Sequence, residues 1–296
     1  MNTDTNPYAT EEQIERSHYS PAESDLLRIS KSSLMTYMGC PRQFYWRYCA
    51  GLPSAPATEQ MIRGGLIHEV MEYGLKGGPE EAPAKAEEMG VGQDPAVDSL
   101  MLLIHQIAHD MGGFNILESE IKHQVFEEYG DHEILWVGLI DGLLRFCMVK
   151  NPDMGSVIVE LKTGKMNMSK LGRTRKELLY YHRLLSLMDE NYPEPTHLLY
   201  LSPDYEHDPN DKLLLEGNKR GKRLWLVPQQ GIAILEPVTQ RSINAFSKSL
   251  TNTIDNLKLQ QWPMKWNDYF CPLWCEFCMN CEAELTGEFN EGEWLE

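Results

Sequence analysis

The sequence predicts an α/β fold, a mixed sheet flanked by helices, with helical arms before and after it. Short apolar runs bounded by glycine, WVGLIDGLLRF at 136–146 and SVIVELKTGK at 156–165, read as buried strands. Amphipathic stretches precede these runs and alternate with later ones, the order expected when helices cover a sheet. A chain of 296 residues is long enough to bury a substantial core.

The elements follow in chain order. Residues 1–26 begin MNTDTNPYATEEQIERS and are expected as a disordered tail. Ser30 can cap a helix through SKSSLMTYMG, and Pro41 restarts it as PRQFYWRYCAG, proline taking a first-turn position and Gly51 following the end. Phe44, Tyr45, Trp46 and Tyr48 are expected mostly in the core. The run TEQMIRGGLIHEVMEYGL predicts a helix with Met61, Leu66, Ile67, Val70 and Met71 on its apolar face and His68 in the middle. A Gly-, Pro- and Glu-rich connector over 76–95 leads to a helix at 96–111. Strands at 114–129, 133–146 and 156–163 form an antiparallel meander. A helix at 173–189, a strand at 197–202, a hairpin at 223–236 turning at 229–231 and a helix at 239–259 complete the core. An acidic tail over 282–296 leaves 27–281 as one domain.

The formal net charge of −17 argues against coating nucleic acid through global electrostatics. It leaves room for a local basic track, and Lys165, Lys170, Arg173, Arg175 and Lys176 lie in a run without acids. A second basic group, Lys219, Arg220, Lys222 and Arg223, comes later. No apolar run approaches membrane-spanning length and the first residues do not form a secretory signal, so a soluble, cytoplasmic protein with no membrane partner is expected.

The strand ending ELKTG carries the chemistry. Side chains alternate along a strand, so Glu160 and Lys162 share a face, about 7 Å apart along the chain. Charges at a buried strand end are costly unless they meet each other, a metal or a substrate. Taken alone, E-x-K is better explained as an ion pair capping a sheet. Asp141 changes that balance, because it lies inside a second apolar strand where an unpartnered carboxylate is destabilising. Two carboxylates on consecutive strands suggest a shared cation, and hard oxygen ligands favour Mg²⁺ or Mn²⁺.

Seven cysteines occur, Cys40, Cys49, Cys147, Cys271, Cys275, Cys278 and Cys281. Four crowd into FCPLWCEFCMNC, which in an intracellular chain points to a metal or a cluster rather than disulfides. Zinc and an iron–sulfur cluster both suit such thiolates.

Several separated segments together resemble the PD-(D/E)XK nuclease superfamily, and within it RecB- and AddB-like nucleases with an iron–sulfur clasp, including CRISPR-associated RecB-like exonucleases. These are SSLMTYMGCPRQFYWRY, GLIHEVMEYGL, GLIDGLL, VIVELKTGK, ELLYYHRLL and the terminal cysteine group, spanning roughly residues 30–281. The resemblance implies a restriction-endonuclease-like core whose arms are joined by a cysteine-ligated cluster. It implies His68, Asp141 and Glu160 as ligands of Mg²⁺ or Mn²⁺, the Leu161 carbonyl as a further ligand, and Lys162 as the residue that positions water and phosphate. Glu120 sits where an additional acid often occurs, with Glu118 as the alternative. Tyr181 fits a tyrosine of the helix after the core and could stack on unpaired bases. Glu177 stands where the family usually has glutamine, either contacting substrate or facing solvent. Cys40 with Cys271, Cys275 and Cys281 fits the ligands of a [4Fe-4S] cluster, Cys278 being an alternative ligand and structural Zn²⁺ an alternative metal.

The resemblance thus implies a metal-dependent deoxyribonuclease, an exonuclease acting on single-stranded DNA or DNA ends in repair, recombination, replication or CRISPR spacer processing. The competing reading is a non-catalytic DNA-binding or assembly subunit of a helicase–nuclease complex. No G-x-x-x-x-G-K-[ST] occurs, so a helicase or integrase-type partner would be a separate chain.

Overall fold

The structure is a computed structural model and describes residues 8–77, 81–147, 155–188, 194–208 and 210–287. The first elements are α1 (Glu11–Arg16), closed by a reciprocal capping box between Thr10 and Gln13, and β1 (Leu26–Ser30). Residues 8–26, expected as a disordered tail, are therefore ordered: Tyr8 bridges to Val125, His18 to Leu27, and Arg16 pairs with Glu133 at 2.6 Å. Leu26 and Leu27 are fully buried and anchor this segment. The rest of that predicted tail, residues 1–7, lies outside the described residues.

An N-terminal arm follows as α2 (Lys31–Gly39), α3 (Pro41–Phe44) and a π turn over Tyr45–Cys49. Ser30 caps α2 as predicted. Next come α4 (Glu59–Lys76), α5 (Glu81–Glu88) and α6 (Pro95–Asp110). Part of the predicted connector is helical because Ala82 and Ala86 recur at helical spacing and bury completely. Met61, assigned to the apolar face of α4, is exposed.

The strands are β2 (Phe114–Glu118), β3 (Ile121–Tyr129), β4 (His132–Ile140), β5 (Gly142–Phe146) and β6 (Ser156–Leu161). Each of the first two predicted strands is thus two. Both arms of the hairpin break at the same level, one at Ser119–Glu120 and one at Asp141. Glu120 takes a left-handed φ of 52°, and its N–H donates to the Ile140 carbonyl at 3.0 Å. Beyond the break the arms join β1 in a three-stranded sheet of order β1-β4-β3; before it they enter the main sheet.

The remaining elements are α7 (Met168–Ser186), β7 (Pro195–Glu206), α8 (Lys212–Gly217), β8 (Arg223–Leu226), β9 (Gln230–Pro237), α9 (Gln240–Lys258), α10 (Phe270–Trp274) and α11 (Cys278–Thr286). Helix α7 begins earlier than predicted because Asn167 caps it, its side chain accepting from the Lys170 N–H. The first residues of the predicted acidic tail belong to α11. Residues 288–296 lie outside the described residues.

The six-stranded sheet runs β2-β5-β6-β7-β9-β8, with β6 and β7 parallel and the other pairs antiparallel. Alternate residues feed two cores. Ile158, Leu198, Tyr200, Ile232 and Ile234 pack with α2, α7 and α9 on one face. Val157, Val159, Leu161, Leu199, Leu201 and Leu235 pack with α4 and α6 on the other. Among the described residues no helix is long and apolar enough to cross a membrane.

Candidate active site

Glu160 lies on β6 two residues beyond Ile158, so the pleat turns it and Lys162 toward α7 as the alternation predicts. The Glu160 side chain is 1% exposed. Its Oε1 receives two ammonium groups, Lys162 Nζ at 2.5 Å and Lys31 Nζ at 2.7 Å, while its Oε2 is buried with no hydrogen-bond partner. Burial alone pushes the Glu160 carboxyl up, and the two lysines more than reverse this, so its pKa is lowered. Burial is likewise the largest influence on Lys162 and Lys31 and depresses both, but Glu160 and the other carboxylates around them together outweigh it and hold both above the ordinary lysine value.

Asp141 occupies the break between β4 and β5, where Gly142 continues the main sheet. Its Oδ2 accepts the Leu161 N–H at 3.0 Å and lies 3.5 Å from His68 Nδ1. Burial, with Glu160 nearby, pushes Asp141 up to about 7. Burial pushes His68 down to about 4, so this imidazole of α4 is neutral at pH 7, and the Leu161 carbonyl accepts a hydrogen bond from it. Ligand atoms of His68, Glu120 and Asp141 lie within 4.8 Å of one another. Glu118 instead pairs with His123 Nε2 at 2.7 Å, which selects Glu120 between the two acids of this turn. The imidazole and carboxylate donors of His68, Glu120 and Asp141 fit a hard divalent cation, whereas Glu160, its Oε1 taken by two lysines, does not belong to that group among the described residues.

Helix α7 supplies the next layer. Arg173, Glu177 and Tyr181 follow at four-residue spacing and form one row. Glu177 faces neither solvent nor open space; it is buried, with Oε2 2.7 Å from Lys162 Nζ and Oε1 3.2 Å from Arg173 Nε. Tyr181 is 1% exposed and donates its hydroxyl to the Leu139 carbonyl, so it is locked in the core and is not a free platform for a base. Lys31 Nζ lies 4.9 Å from the centre of its ring. The close approach of α7 to β4 needs Gly138, where a Cβ would stand 3.2 Å from Tyr181 Cε1 and collide with Leu184.

Sequence reasoning missed Lys31. The available signal was its position as the first residue of α2, where a cation opposes the helix dipole and calls for a carboxylate partner. It also missed the support beneath the strand end. Arg63 of α4 bridges Asp94 and Asp204, and Asp204 Oδ2 accepts the Gly164 N–H at 2.5 Å, fixing the turn after Lys162. Gly164 there has φ of 78°, a conformation that favours glycine.

The basic track is only partly available. Lys165, Lys170 and Lys176 are exposed and form no ion pair within contact distance among the described residues. Arg175 points inward, forking onto Glu236 at 2.5 and 2.8 Å, and Lys222 of the second basic group joins the same buried carboxylate at 2.7 Å. The fork forms because Glu236, buried on β9, faces α7 and needs a counter-charge.

Cys40 and the C-terminal cysteines lie where the two arms meet. Cys40, Cys271 and Cys275 line one cavity of about 530 Å³ together with Arg47, Lys265 and Trp266. Cys281 packs in one cluster with Trp46, Phe277 and Cys275, and the Cys278 thiol donates to Glu282 at 3.7 Å. Among the described residues no three thiol sulfurs lie within 4.8 Å of one another. Ion pairs of Arg42 with Glu284 and Arg47 with Glu276, and packing of Trp46 on Phe277 and Cys281, tie the arms together.

No curated protein sequence matches the chain. Among solved structures, that of SSO0001 aligns over 88% of this chain and 87% of its own, with 15% identity and a TM-score of 0.38. The family model of the PD-(D/E)XK nuclease superfamily matches residues 28–282, a span that contains every carboxylate, lysine and histidine of the site, and the chain belongs to that superfamily.

Proposed function

We propose that the protein is a metal-dependent deoxyribonuclease, an exonuclease acting on single-stranded DNA or DNA ends. The observation that carries this reading is the meeting of Asp141, Glu160 and Lys162 at the β6 end, with His68 and Glu120 closing the carboxylate cluster. His68, Glu120 and Asp141 would hold Mg²⁺ or Mn²⁺, which when bound lowers the pKa of water and neutralises charge on the phosphate. Glu160 and Glu177 hold Lys162 protonated from two sides, so its ammonium is aimed at a phosphate oxygen and orients the attacking water. Asp141, accepting the Leu161 N–H, keeps the strand end in register with the hairpin break. Lys165, Lys170 and Lys176 supply the exposed cations that would track the backbone.

The cysteine set Cys40, Cys271, Cys275 and Cys281 is assigned to a [4Fe-4S] cluster that clasps the arms, a structural role.

The test is cleavage of end-labelled linear single- and double-stranded DNA beside closed circular DNA, by anaerobically purified protein with Mg²⁺ or Mn²⁺. Degradation of linear strands that disappears in Glu160→Ala and Lys162→Ala is the expected outcome. Cleavage retained in both variants would overturn the assignment. No cleavage by intact wild type would favour a binding subunit.

A further inference from the structure

Beside the carboxylate cluster lies a second feature that the family motifs do not include. A cavity of about 430 Å³ opens next to Asp141, lined among others by Lys31, Ser32, Lys122, Leu139 and Tyr181. That volume falls in the range of small-molecule sites, far beyond the roughly 30 Å³ share of one water. Lys122 on β3 and Leu139 on β4 are directly opposite in the ladder, so both side chains project from the same face, and both are exposed. Lys122 has no hydrogen-bond or ion-pair partner among the described residues. Lys31 reaches the cavity from α2 with its side chain 20% exposed, held between Glu160 and the Tyr181 ring.

The position of these two lysines relative to Lys162 gives the cavity a meaning. Along α7, Arg173, Glu177 and Tyr181 are spaced about 6 Å apart. Lys162 contacts the middle one and Lys31 lies over the third. Cations therefore occur on both sides of the Lys162 position, Arg173 toward the start of α7 and Lys31 with Lys122 beyond Tyr181. A polyanion crossing a centre crowded with Asp141, Glu160, Glu177 and Glu120, on a chain of net charge −17, needs such local counter-charge on each side.

We propose that Lys31 and Lys122 form a backbone-phosphate subsite for a single nucleic-acid strand, next to the reacting phosphate and on the side opposite Arg173. This rests on the nuclease reading above. The strand runs along α7, its reacting phosphate at Lys162 and a neighbouring phosphate in the cavity. Leu139 offers an apolar edge to the sugar, and the contacts carry no base specificity.

The test is binding of a fluorescein-labelled oligothymidylate by anisotropy across a salt series, with Ca²⁺ in place of Mg²⁺ so that the strand persists. Lys122→Ala, on an exposed strand position, should lower the slope of log K against log salt by about 0.7, the share of one single-strand phosphate contact. Lys122→Glu should weaken binding further, Lys31→Met should lower the slope as Lys122→Ala does, and Lys248→Ala on exposed α9 should leave it unchanged. A wild-type slope in both Lys122 variants, with wild-type protein binding the strand, overturns the subsite alone. Failure of wild-type protein to bind any strand overturns the nuclease reading and the subsite with it.

Discussion

Arg175 separates two readings of one residue, backbone tracking and internal ion pairing, and Arg175→Met decides between them. The guanidinium forks onto Glu236 at 2.5 and 2.8 Å, and Glu236 is 4% exposed. Removing one partner of a fully buried ion pair costs about 3–5 kcal/mol, because the other charge is stranded. Here Lys222 at 2.7 Å and the Tyr200 hydroxyl at 2.6 Å remain on Glu236, and the Arg175 side chain is 29% exposed, so the expected cost is lower, about 2–3 kcal/mol. With an unfolding entropy near 2.1 cal/mol/K per residue over 296 residues, Tm should fall by about 3–5 °C at pH 7. The pH dependence carries the sign. Burial pushes Glu236 up, but Arg175, Lys222 and Tyr200 together hold it below its ordinary 4.5. Its contribution is thus full above 4.5 and fades as pH falls through the lowered value, so the gap between wild type and variant should narrow in acid. Calorimetry gives Tm, and the salt slope of strand binding should not change. An unchanged Tm with a reduced slope would refute the internal role and restore Arg175 to the track.

Four other outcomes are expected. Gly138→Ala should lose about 1–3 kcal/mol in urea unfolding, because the added Cβ meets Leu184 and Tyr181 on α7. Asp204→Ala, which strands Arg63 and frees the Gly164 N–H, should destabilise by about 1–3 kcal/mol, and its cleavage rate per folded molecule should also fall as Lys162 loses its fixed turn. Glu177→Gln should keep cleavage within about tenfold, since a polar amide oxygen still faces the Lys162 ammonium, whereas Glu177→Leu should lose far more than 1.4 kcal/mol of transition-state stabilisation. Cys40→Ser should remove visible absorption and iron from anaerobic protein, while Cys147→Ser, at an exposed thiol, should leave both unchanged.

Much of the site was legible because it sits on regular periodicity. Alternation along SVIVELK placed Glu160 and Lys162 on one face, and the β6 residues divide between the two cores in that way. The Ser30 cap, the hairpin at 223–236 and the span of α9 followed from equally local rules. Strand breaks were harder to see. Nothing in the apolar pattern around Asp141 distinguishes a straight strand from one that leaves its sheet, since both halves need the same alternation. Glu120 is also an unusual residue for a left-handed turn, which glycine or asparagine would have announced. The basic run misled in part, because a linear run of cations says nothing about which side of a helix meets a buried acid.

By itself the sequence determined most of the elements, the shared face of Glu160 and Lys162, and the superfamily, all consequences of local periodicity and motif order. The tertiary structure alone decided that Lys31 joins Glu160, that Glu177 holds Lys162, and that Arg175 serves Glu236 instead of a substrate. Those pairings connect residues from Lys31 to Glu160 and from Arg175 to Glu236 across separate elements, and a charge is committed only when packing removes water from it. Which carboxylate then lies within reach is a property of the folded surface, and no spacing along the chain encodes it.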